Sequence, residues 1–183
     1  MQQLTDQTIQ AGDGLLLRPL GAGDIPLVAR ACQDPLTQQW LPLPRPYTEQ
    51  AARDFVETIA SQQLASGNGI ERAIERSGEF VGVIGAKKTD WAARKTEVGY
   101  WLAPWARGKG VMTRALCAMT DWLLGTQQIT RVEVHVAPGN AASLAVARRA
   151  GFVREGIMRR AGHTHDGTTD LVLFSRLADD PRP

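Results

Sequence analysis

The sequence predicts an α/β protein (α+β), in which a mixed central sheet is flanked by helices. Hydrophobic residues alternate with period two between Ile70 and Leu102, which indicates consecutive strands. After Leu102, segments with helical periodicity alternate with short apolar segments. Turns between strands favour antiparallel pairs and helices between strands favour parallel crossovers, so the sheet is expected to contain both kinds of pair.

The predicted strands are short apolar or alternating segments bounded by turn residues. A turn at Ser77-Gly78 joins two of them, and a polar link follows the second. Residues 70–102 are therefore expected to form an antiparallel meander. The predicted strands are 15–19, 70–75, 80–86, 97–102, 131–136, 152–155 and 171–174.

The predicted helices are recognised by their apolar spacing and their capping residues. Asp24 is placed to cap the first helix, and Thr48 is placed to cap the second. The second helix is expected to end at Gly67-Asn68-Gly69. Residues 40–46 hold three prolines after a tryptophan, so this segment is expected to be an ordered apolar loop. The predicted helices are 24–32, 48–66, 111–124 and 141–150.

Length and composition indicate a globular protein. A chain of 183 residues, 43% apolar and 22% charged, is long enough for one domain with its own core. This domain is expected to span residues 15–178, after a polar leader (1–14) and before a short tail (179–183). The 21 Lys and Arg residues barely exceed the 19 Asp and Glu residues, so no nucleic-acid partner is expected.

Neither a targeting signal nor a membrane-spanning segment is predicted. The leader lacks the basic end and apolar run of a signal peptide, and no stretch reaches the roughly 18 apolar residues that cross a bilayer. Cys32 and Cys117 are far apart in the sequence, which indicates buried free thiols and not a disulfide framework or a zinc site. The protein is expected to be cytoplasmic, without a metal and without a membrane partner.

Residues 107–113, Arg-Gly-Lys-Gly-Val-Met-Thr, join a predicted strand to a predicted helix. The first turn of a helix has unpaired backbone N–H groups and the positive end of the helix dipole, so it attracts anions. Gly108 and Gly110 let phosphate oxygens approach the main chain, and Arg107 and Lys109 add positive charge. The loop is predicted to bind a phosphate group; a tight turn that only starts a helix is the alternative.

Two common phosphate loops do not fit this spacing. A Walker loop needs glycine at Ala103 and Ser or Thr at Gly110. A dinucleotide fingerprint needs glycine at Thr113. Neither of these two classes of phosphate loop is therefore predicted here.

The same loop resembles motif A of the GNAT acetyltransferases, which reads Arg or Gln, two residues, Gly, one residue, then Gly or Ala. Arg107 and Gly110 match this pattern, and Met112 replaces the small final residue. The Met112-Thr113 ending, preceded by Glu-Val-Gly-Tyr-Trp-Leu at 97–102, is similar to the branch that includes the RimJ/RimL-type ribosomal-protein N-terminal acetyltransferases.

A second block supports the resemblance. Residues 138–152 look like motif B of the same branch, and Glu-Gly-Ile-Met-Arg at 155–159 continues it. Together with the 40–42 loop and the last predicted strand, the resemblance covers nearly the whole chain from Leu15. It implies the GNAT fold, with about six to seven strands, about four helices, and a sheet splayed between its fourth and fifth strands.

The resemblance also implies that the protein binds acetyl-CoA or another acyl-CoA. The Leu102 amide would face the thioester carbonyl, Asn140 would bond to the pantetheine arm, and Ser143 would give a proton to the departing sulfur. By residue type alone, Asn140 and Ser143 are equally suited to cap a helix. The coenzyme-binding residues implied are Tyr100, Trp101, Leu102, Arg107, Gly108, Lys109, Gly110, Val111, Met112, Thr113, Asn140 and Ser143.

The general base is harder to assign. In the ribosomal N-terminal acetyltransferases a glutamate follows the Met-basic pair, and the matching position here is Gly162. His163, His165 and Glu97 are therefore the candidate bases. The acceptor side would be lined by Trp40, Leu41 and Pro42, with Trp91 as a further possibility.

The predicted function is an acyl-CoA-dependent N-acyltransferase that passes acetyl to a protein N-terminal α-amine or a small-molecule amine. Antibiotics and polyamines are alternative acceptors, and succinyl-CoA is an alternative donor, because the motifs identify the coenzyme and not the acyl group. A non-catalytic acyl-CoA-binding module is the alternative from another class. A homodimer is a possible assembly.

Overall fold

The computed structural model describes residues 2–181. Its central sheet has eight strands, β1 (Ile9–Gln10), β2 (Leu15–Pro19), β3 (Ile70–Arg76), β4 (Glu79–Asp90), β5 (Lys95–Leu102), β6 (Arg131–Val136), β7 (Val153–Thr164) and β8 (Gly167–Leu177). Their order in the sheet is β1-β2-β3-β4-β5-β6-β8-β7, and β5 and β6 form a parallel pair among antiparallel ones. The mixed sheet is confirmed. It has one more strand than the predicted six to seven because the short β1 pairs with β2.

Helices cover both faces of the sheet. They are α1 (Ile25–Cys32), α2 (Pro35–Trp40), α3 (Glu49–Arg53), α4 (Ala60–Ala65), α5 (Val111–Thr126) and α6 (Ala141–Arg149), and a π-helical segment, Asp54–Ile59, joins α3 to α4. The sequence did not predict α2, which is too short to show periodicity. Asp34 caps α2 by accepting a hydrogen bond from the Thr37 N–H at 2.9 Å. Trp40 consequently ends a helix and does not belong to the loop that follows.

The two predicted caps have different outcomes. The Thr48 hydroxyl accepts from the Ala51 N–H at 3.1 Å, so it caps α3 as expected. Asp24 precedes α1 as predicted, but its side chain makes no capping bond to that helix. It accepts from the Gly21 N–H and from Arg18 instead, because a short 3-10 turn comes before α1 and takes its carboxylate.

The N-terminal segment is packed against the sheet, although the sequence predicted a polar leader outside the domain. Leu4 is 1% exposed and belongs to the main core. The Thr5 N–H donates to Gln127 at 3.0 Å, and Asp6 pairs with Arg72. In the predicted tail, Asp180 accepts from the Leu177 N–H, while residues 182–183, like residue 1, lie outside the described part.

Side chains alternate between the faces of the sheet, and each face has its own hydrophobic core. On the α5 face, Val98 and Tyr100 of β5 join the core formed with α5 and α6. On the α1 face, α1 and α3 cover β3 and β4. Trp101 of β5 lies on this second face, and the centroid of its ring is 6.0 Å from the centroid of the Phe80 ring. Glu97 and Gly99 therefore face the α1 side as well.

β5 and β6 are paired only at their beginnings. Their last recorded pair is Glu97 with Glu133. β5 continues beside β4 to Leu102, while β6 continues beside β8 to Val136. The two strands thus part after Glu97, and we call the opening the β5–β6 gap. Counted from β2, it lies between the fourth and fifth strands, so the predicted splay is confirmed.

Candidate active site

The backbone of β5 presents hydrogen-bonding groups to the β5–β6 gap. The Ala103 N–H donates to the Val81 carbonyl at 2.9 Å, and the register with β4 runs without a shift from Leu102 back to Glu97. Because alternate residues of an antiparallel strand bond to the same neighbour, the N–H and C=O groups of Tyr100 and Leu102 point away from β4. They face the gap, where an extended ligand can bond to them.

The N-terminus of α5 is open. Gly110 is its N-cap residue, with φ of 70°, and Gly108 has φ of 75°. Within residues 2–181, no side chain caps this end, and a Cβ at either glycine would meet no atom within 4 Å. Val111 and Met112 bury their side chains in the core, which accounts for the large residue at the end of the motif. Their backbone N–H groups belong to a first turn that no side chain caps, which is suited to an anion.

Arg107 is tied to α2. Its Nη2 donates to Asp34 Oδ2 at 2.6 Å and to Thr37 Oγ1 at 2.8 Å. Burial alone would raise the pKa of the Asp34 carboxyl, but the hydrogen bonds from Arg107 and Thr37 outweigh burial and lower it. Asp34 thus balances part of the charge that Arg107 was expected to give the loop. Lys109 is exposed, and its Nζ donates to the Trp105 carbonyl at 3.2 Å.

We expect the Asp34–Arg107 pair to make stability depend on pH. Because folding lowers the pKa of Asp34, its contribution is complete above the unfolded pKa, about 3.9, and is lost as the pH falls through the lower folded value. Asp34→Asn keeps a capping oxygen without the charge, so it should cost about 1 kcal/mol at neutral pH. Urea unfolding should show this difference shrinking below about pH 4. A difference unchanged down to about pH 3 would contradict the assignment.

α6 begins beside the gap. The Asn140 Oδ1 accepts from the Ser143 N–H at 3.1 Å, so Asn140 is the N-cap. The cap uses only the carbonyl oxygen, which leaves the side-chain nitrogen of Asn140 available as a donor. A Cβ at Gly139 would lie 3.0 Å from Trp40 Cη2, so the Trp40 ring rests on the turn before this helix.

A hydrogen bond joins β5 to α6. The hydroxyls of Tyr100 and Ser143 are 3.0 Å apart. Burial raises the pKa of Tyr100 to about 12, although the bond with Ser143 opposes the rise. The phenol therefore stays protonated at neutral pH. Tyr100 was predicted in the site only through its strand, and no local pattern reveals this side-chain contact.

The residues predicted for the acceptor side are not all together. Leu41 is half-buried and Pro42 exposed immediately after Trp40. Trp91 is elsewhere, because its Nε1 donates to the Gly67 carbonyl at 2.8 Å. It precedes β5 and lies at the opposite end of that strand from Leu102, so the structure does not bring it together with Trp40.

Glu97 lies on the α1 face at the closed end of the gap. Its carboxylate is 3.1 Å from Lys87 Nζ, 2.8 Å from Lys88 Nζ and 3.4 Å from His135 Nδ1. Burial alone would raise its pKa, but these three groups outweigh burial and lower it. A carboxylate with a lowered pKa is a weak proton acceptor, which favours a structural role. His135 was not predicted from the sequence; its Nε2 also lies 3.0 Å from Glu133 Oε2.

The other two candidate bases lie at the tip of the β7–β8 hairpin. His163 is near the end of β7 and His165 is in the turn, and both are exposed. β8 pairs with β6 only as far as Val172, so the tip extends past β6 on the side where the gap opens. At Gly162, a Cβ would come within 2.8 Å of Leu171 Cδ2. Any side chain there would have to displace Leu171, which gives a physical reason for the missing glutamate.

A surface cleft of about 470 Å³ borders this site only at Thr113. It is lined by residues of the β1 segment and of the outer side of α5, among them Gln10, Thr113 and Cys117, and by none from β5 or β6. Cys117 is half-buried, whereas Cys32 is buried, so only one of the two free thiols is as enclosed as expected. Within residues 2–181, no group of three His, Cys, Asp or Glu side chains is placed to hold a metal, and no helix is long and apolar enough to cross a membrane.

A parted sheet beside an open, glycine-containing helix N-terminus is the arrangement expected of an acyl-CoA-dependent acyltransferase. Residues 14–153 match the acetyltransferase (GNAT) domain, and the chain belongs to this family. YdaF of Bacillus subtilis (strain 168) is 35% identical over 130 residues, 69% of this chain and 71% of that protein. The ribosomal-protein-serine acetyltransferase of Escherichia coli (strain K12) is 26% identical over 178 residues, 94% and 98% of the two chains.

Solved structures of acetyltransferases are similar to this chain in fold. Mycobacterium smegmatis RimJ in complex with CoA-disulfide has a TM-score of 0.88 at 26% identity, covering 98% of this chain and 91% of that chain. The predicted class is thereby confirmed: the protein is an acyl-CoA-dependent N-acetyltransferase of the RimJ/RimL-like branch, with acetyl-CoA as the co-substrate.

Proposed function

We propose that this protein transfers acetyl from acetyl-CoA to the α-amine of a peptide N-terminus, with small primary amines as the second class of acceptor. The β5–β6 gap is the observation that supports this most directly. Backbone groups of Tyr100 and Leu102 face it from one side, and the Ser143 hydroxyl is held by Tyr100 at the start of α6. One opening thus combines a carbonyl-binding amide with a proton donor.

In this proposal the coenzyme is bound mainly by main-chain groups. The N–H groups of residues 108–113 hold the pyrophosphate, and the exposed Lys109 adds charge. The pantetheine arm runs along β5, bonding to the backbone of residues 100–102 and to the side-chain nitrogen of Asn140. Arg107 contributes by fixing the loop to α2 through Asp34.

The acetyl transfer then needs an amine, an oxyanion site and a proton for sulfur. The Leu102 N–H stabilises the oxyanion as the amine attacks the thioester carbonyl. Ser143 gives its proton to sulfur as the C–S bond breaks, and the Tyr100 hydroxyl, 3.0 Å from that of Ser143, is placed to supply a replacement. A thiol has a pKa of about 8.5, so this acid assists a leaving group that is already good.

The pKa of the acceptor favours an α-amine. An α-ammonium with a pKa near 8 is about one-tenth neutral at pH 7, whereas a lysine near 10.4 is neutral in fewer than about one molecule in a thousand. The E. coli relative is named for acetylating a ribosomal protein on serine. Trp40, whose ring rests on the turn before α6, would contact the residues next to the reacting amine.

Thiol release from acetyl-CoA tests the proposal. At pH 7, a peptide with a free N-terminal serine should react at least about 100-fold faster than the same peptide with a blocked N-terminus and one lysine, because the neutral fractions differ by about that factor. Polyamines, aminoglycosides and succinyl-CoA complete the panel. No release with any acceptor would contradict the proposal, and equal rates for the two peptides would contradict the α-amine preference.

Three sequence-based predictions are part of the proposal. They are a cytoplasmic location, a homodimer, and a single domain whose main body spans residues 15–178. Sedimentation of the purified protein would test the second. Limited proteolysis would test the third, since a single domain should be cut only near its ends.

A further inference from the structure

A row of residues crosses the α1 face of the sheet beside the β5–β6 gap. Glu71 of β3 is directly opposite Gly85 of β4, and Gly85 is directly opposite Gly99 of β5. Gly99 is two residues beyond Glu97, where β5 parts from β6. The row therefore ends at the gap, next to the backbone groups of Tyr100.

The two glycines add no side chain of their own along this row, so the ends of Glu71 and Lys87 lie directly over the sheet. A Cβ at Gly85 would collide with Glu71 Oε2, so the Glu71 carboxyl lies over Gly85 and reaches from its own strand toward β5. A Cβ at Gly99 would meet only Lys87, at 3.1 Å from Nζ and 3.4 Å from Cε. Side chains other than glycine at these positions would separate the carboxyl from the gap.

Among the described residues, no side chain forms a hydrogen bond or an ion pair with the Glu71 carboxyl. Burial raises its pKa to about 7, against the attraction of Lys87 and Arg72. Lys87 of β4 pairs with Glu97 of β5, and Arg72 turns to the other face, where it pairs with Asp6. α4, which packs on β3, has no charged residue.

We propose that Glu71 is the general base of the acetyl transfer and receives the acceptor's ammonium group between Gly85 and the gap, where it takes the place of the Lys87 ammonium over Gly99. This rests on the proposed function and supplies the base that neither Gly162 nor the ion-paired Glu97 provides. A carboxylate that titrates near pH 7 accepts a proton from an α-ammonium of pKa about 8 at a cost of about tenfold, against several thousandfold for an ordinary glutamate of pKa about 4.3.

Glu71 takes one proton from the ammonium, and the freed lone pair forms the N–C bond to the thioester carbonyl carbon. The C–S bond breaks, and sulfur leaves with its electron pair and takes a proton through Ser143. The nitrogen loses its second proton to water, and a proton from water restores the one that the Ser143–Tyr100 pair gave to sulfur. The proton on Glu71 passes to water.

Glu71→Gln should lower kcat about 100-fold at pH 7, a typical general-base contribution, while the Kd for acetyl-CoA changes less than about twofold. The kcat of the unmodified protein should fall below about pH 7, and the variant should lack this fall. Glu75→Gln is the matched control, because Glu75 is on the same strand and face but pairs with Arg18. It should keep the unmodified kcat and pH profile.

Gly99→Ala is a second variant that keeps every polar group. Its methyl would meet only the flexible end of Lys87, so the fold should persist. The KM for the amine should rise about tenfold, because the methyl takes space beside Glu71 that the acceptor's ammonium needs. If Glu71→Gln keeps kcat within about twofold with the pH profile unchanged, the inference is wrong although the enzyme acetylates amines. If the unmodified protein releases no thiol, the proposed function itself fails.

Discussion

Replacing Gly110 with aspartate should abolish acetyl-CoA binding while the fold persists. The new Cβ would enter open space, and aspartate is among the residues that adopt a φ of 70° at a cost of about 1 kcal/mol. Its carboxylate would occupy the first turn of α5 and cap the N–H groups that the pyrophosphate needs. Calorimetric titration should show a Kd raised at least about 100-fold, or about 2.7 kcal/mol.

The matched control for this prediction is Gly78→Asp. Gly78 has φ of 82°, lies in the β3–β4 turn and has open space around its Cβ position. An aspartate at this position therefore adds the same charge and similar backbone strain away from α5. Its Kd should equal that of the unmodified protein. Gly110→Ala, which adds strain without charge, should lose less affinity than Gly110→Asp. If Gly110→Asp binds within about threefold of normal, the coenzyme does not bind at this helix end.

Ser143→Ala is expected to lower kcat about 10- to 100-fold and leave the Kd for acetyl-CoA nearly unchanged. The lower part of the general-acid range applies because the thiolate is a good leaving group. The substitution keeps the Ser143 N–H and therefore keeps the Asn140 cap. Single-turnover kinetics would separate the chemical step from binding.

Two companion variants distinguish proton donation from helix capping. Tyr100→Phe keeps the buried ring but removes the hydroxyl that holds Ser143, so it should lower kcat about tenfold. Asn140→Ala removes the cap and should cost about 1 kcal/mol of stability. If Ser143→Ala resembles Asn140→Ala, with stability and affinity reduced as much as kcat, the role of Ser143 is structural.

Local patterns predicted most of the fold. The alternating residues from Ile70 to Leu102 form three paired strands, and the glycine loop leads into α5. Both were predicted because each pattern depends only on residues that are close in the sequence. α2 was missed because six residues show no period, and only the Asp34 cap marks its start. β1 was missed because two residues carry no strand pattern, and its place is set by pairing with β2.

The candidate site was predicted less completely, for a physical reason. The open amides of residues 108–113 follow from glycine and helix geometry, which are local. Contacts between Arg107 and Asp34, and between Tyr100 and Ser143, join residues more than 40 positions apart. The Glu71 row depends on the register of three strands, which the sequence pattern alone does not specify.

A crystal structure of the protein with coenzyme A tests the central claim most directly. The diphosphate oxygens should lie about 2.7–3.2 Å from backbone nitrogens of residues 108–113, with the pantetheine arm in the β5–β6 gap against Tyr100 and Leu102. A coenzyme bound elsewhere, for example in the cleft between the β1 segment and α5, with the gap closed by side chains, would contradict the account.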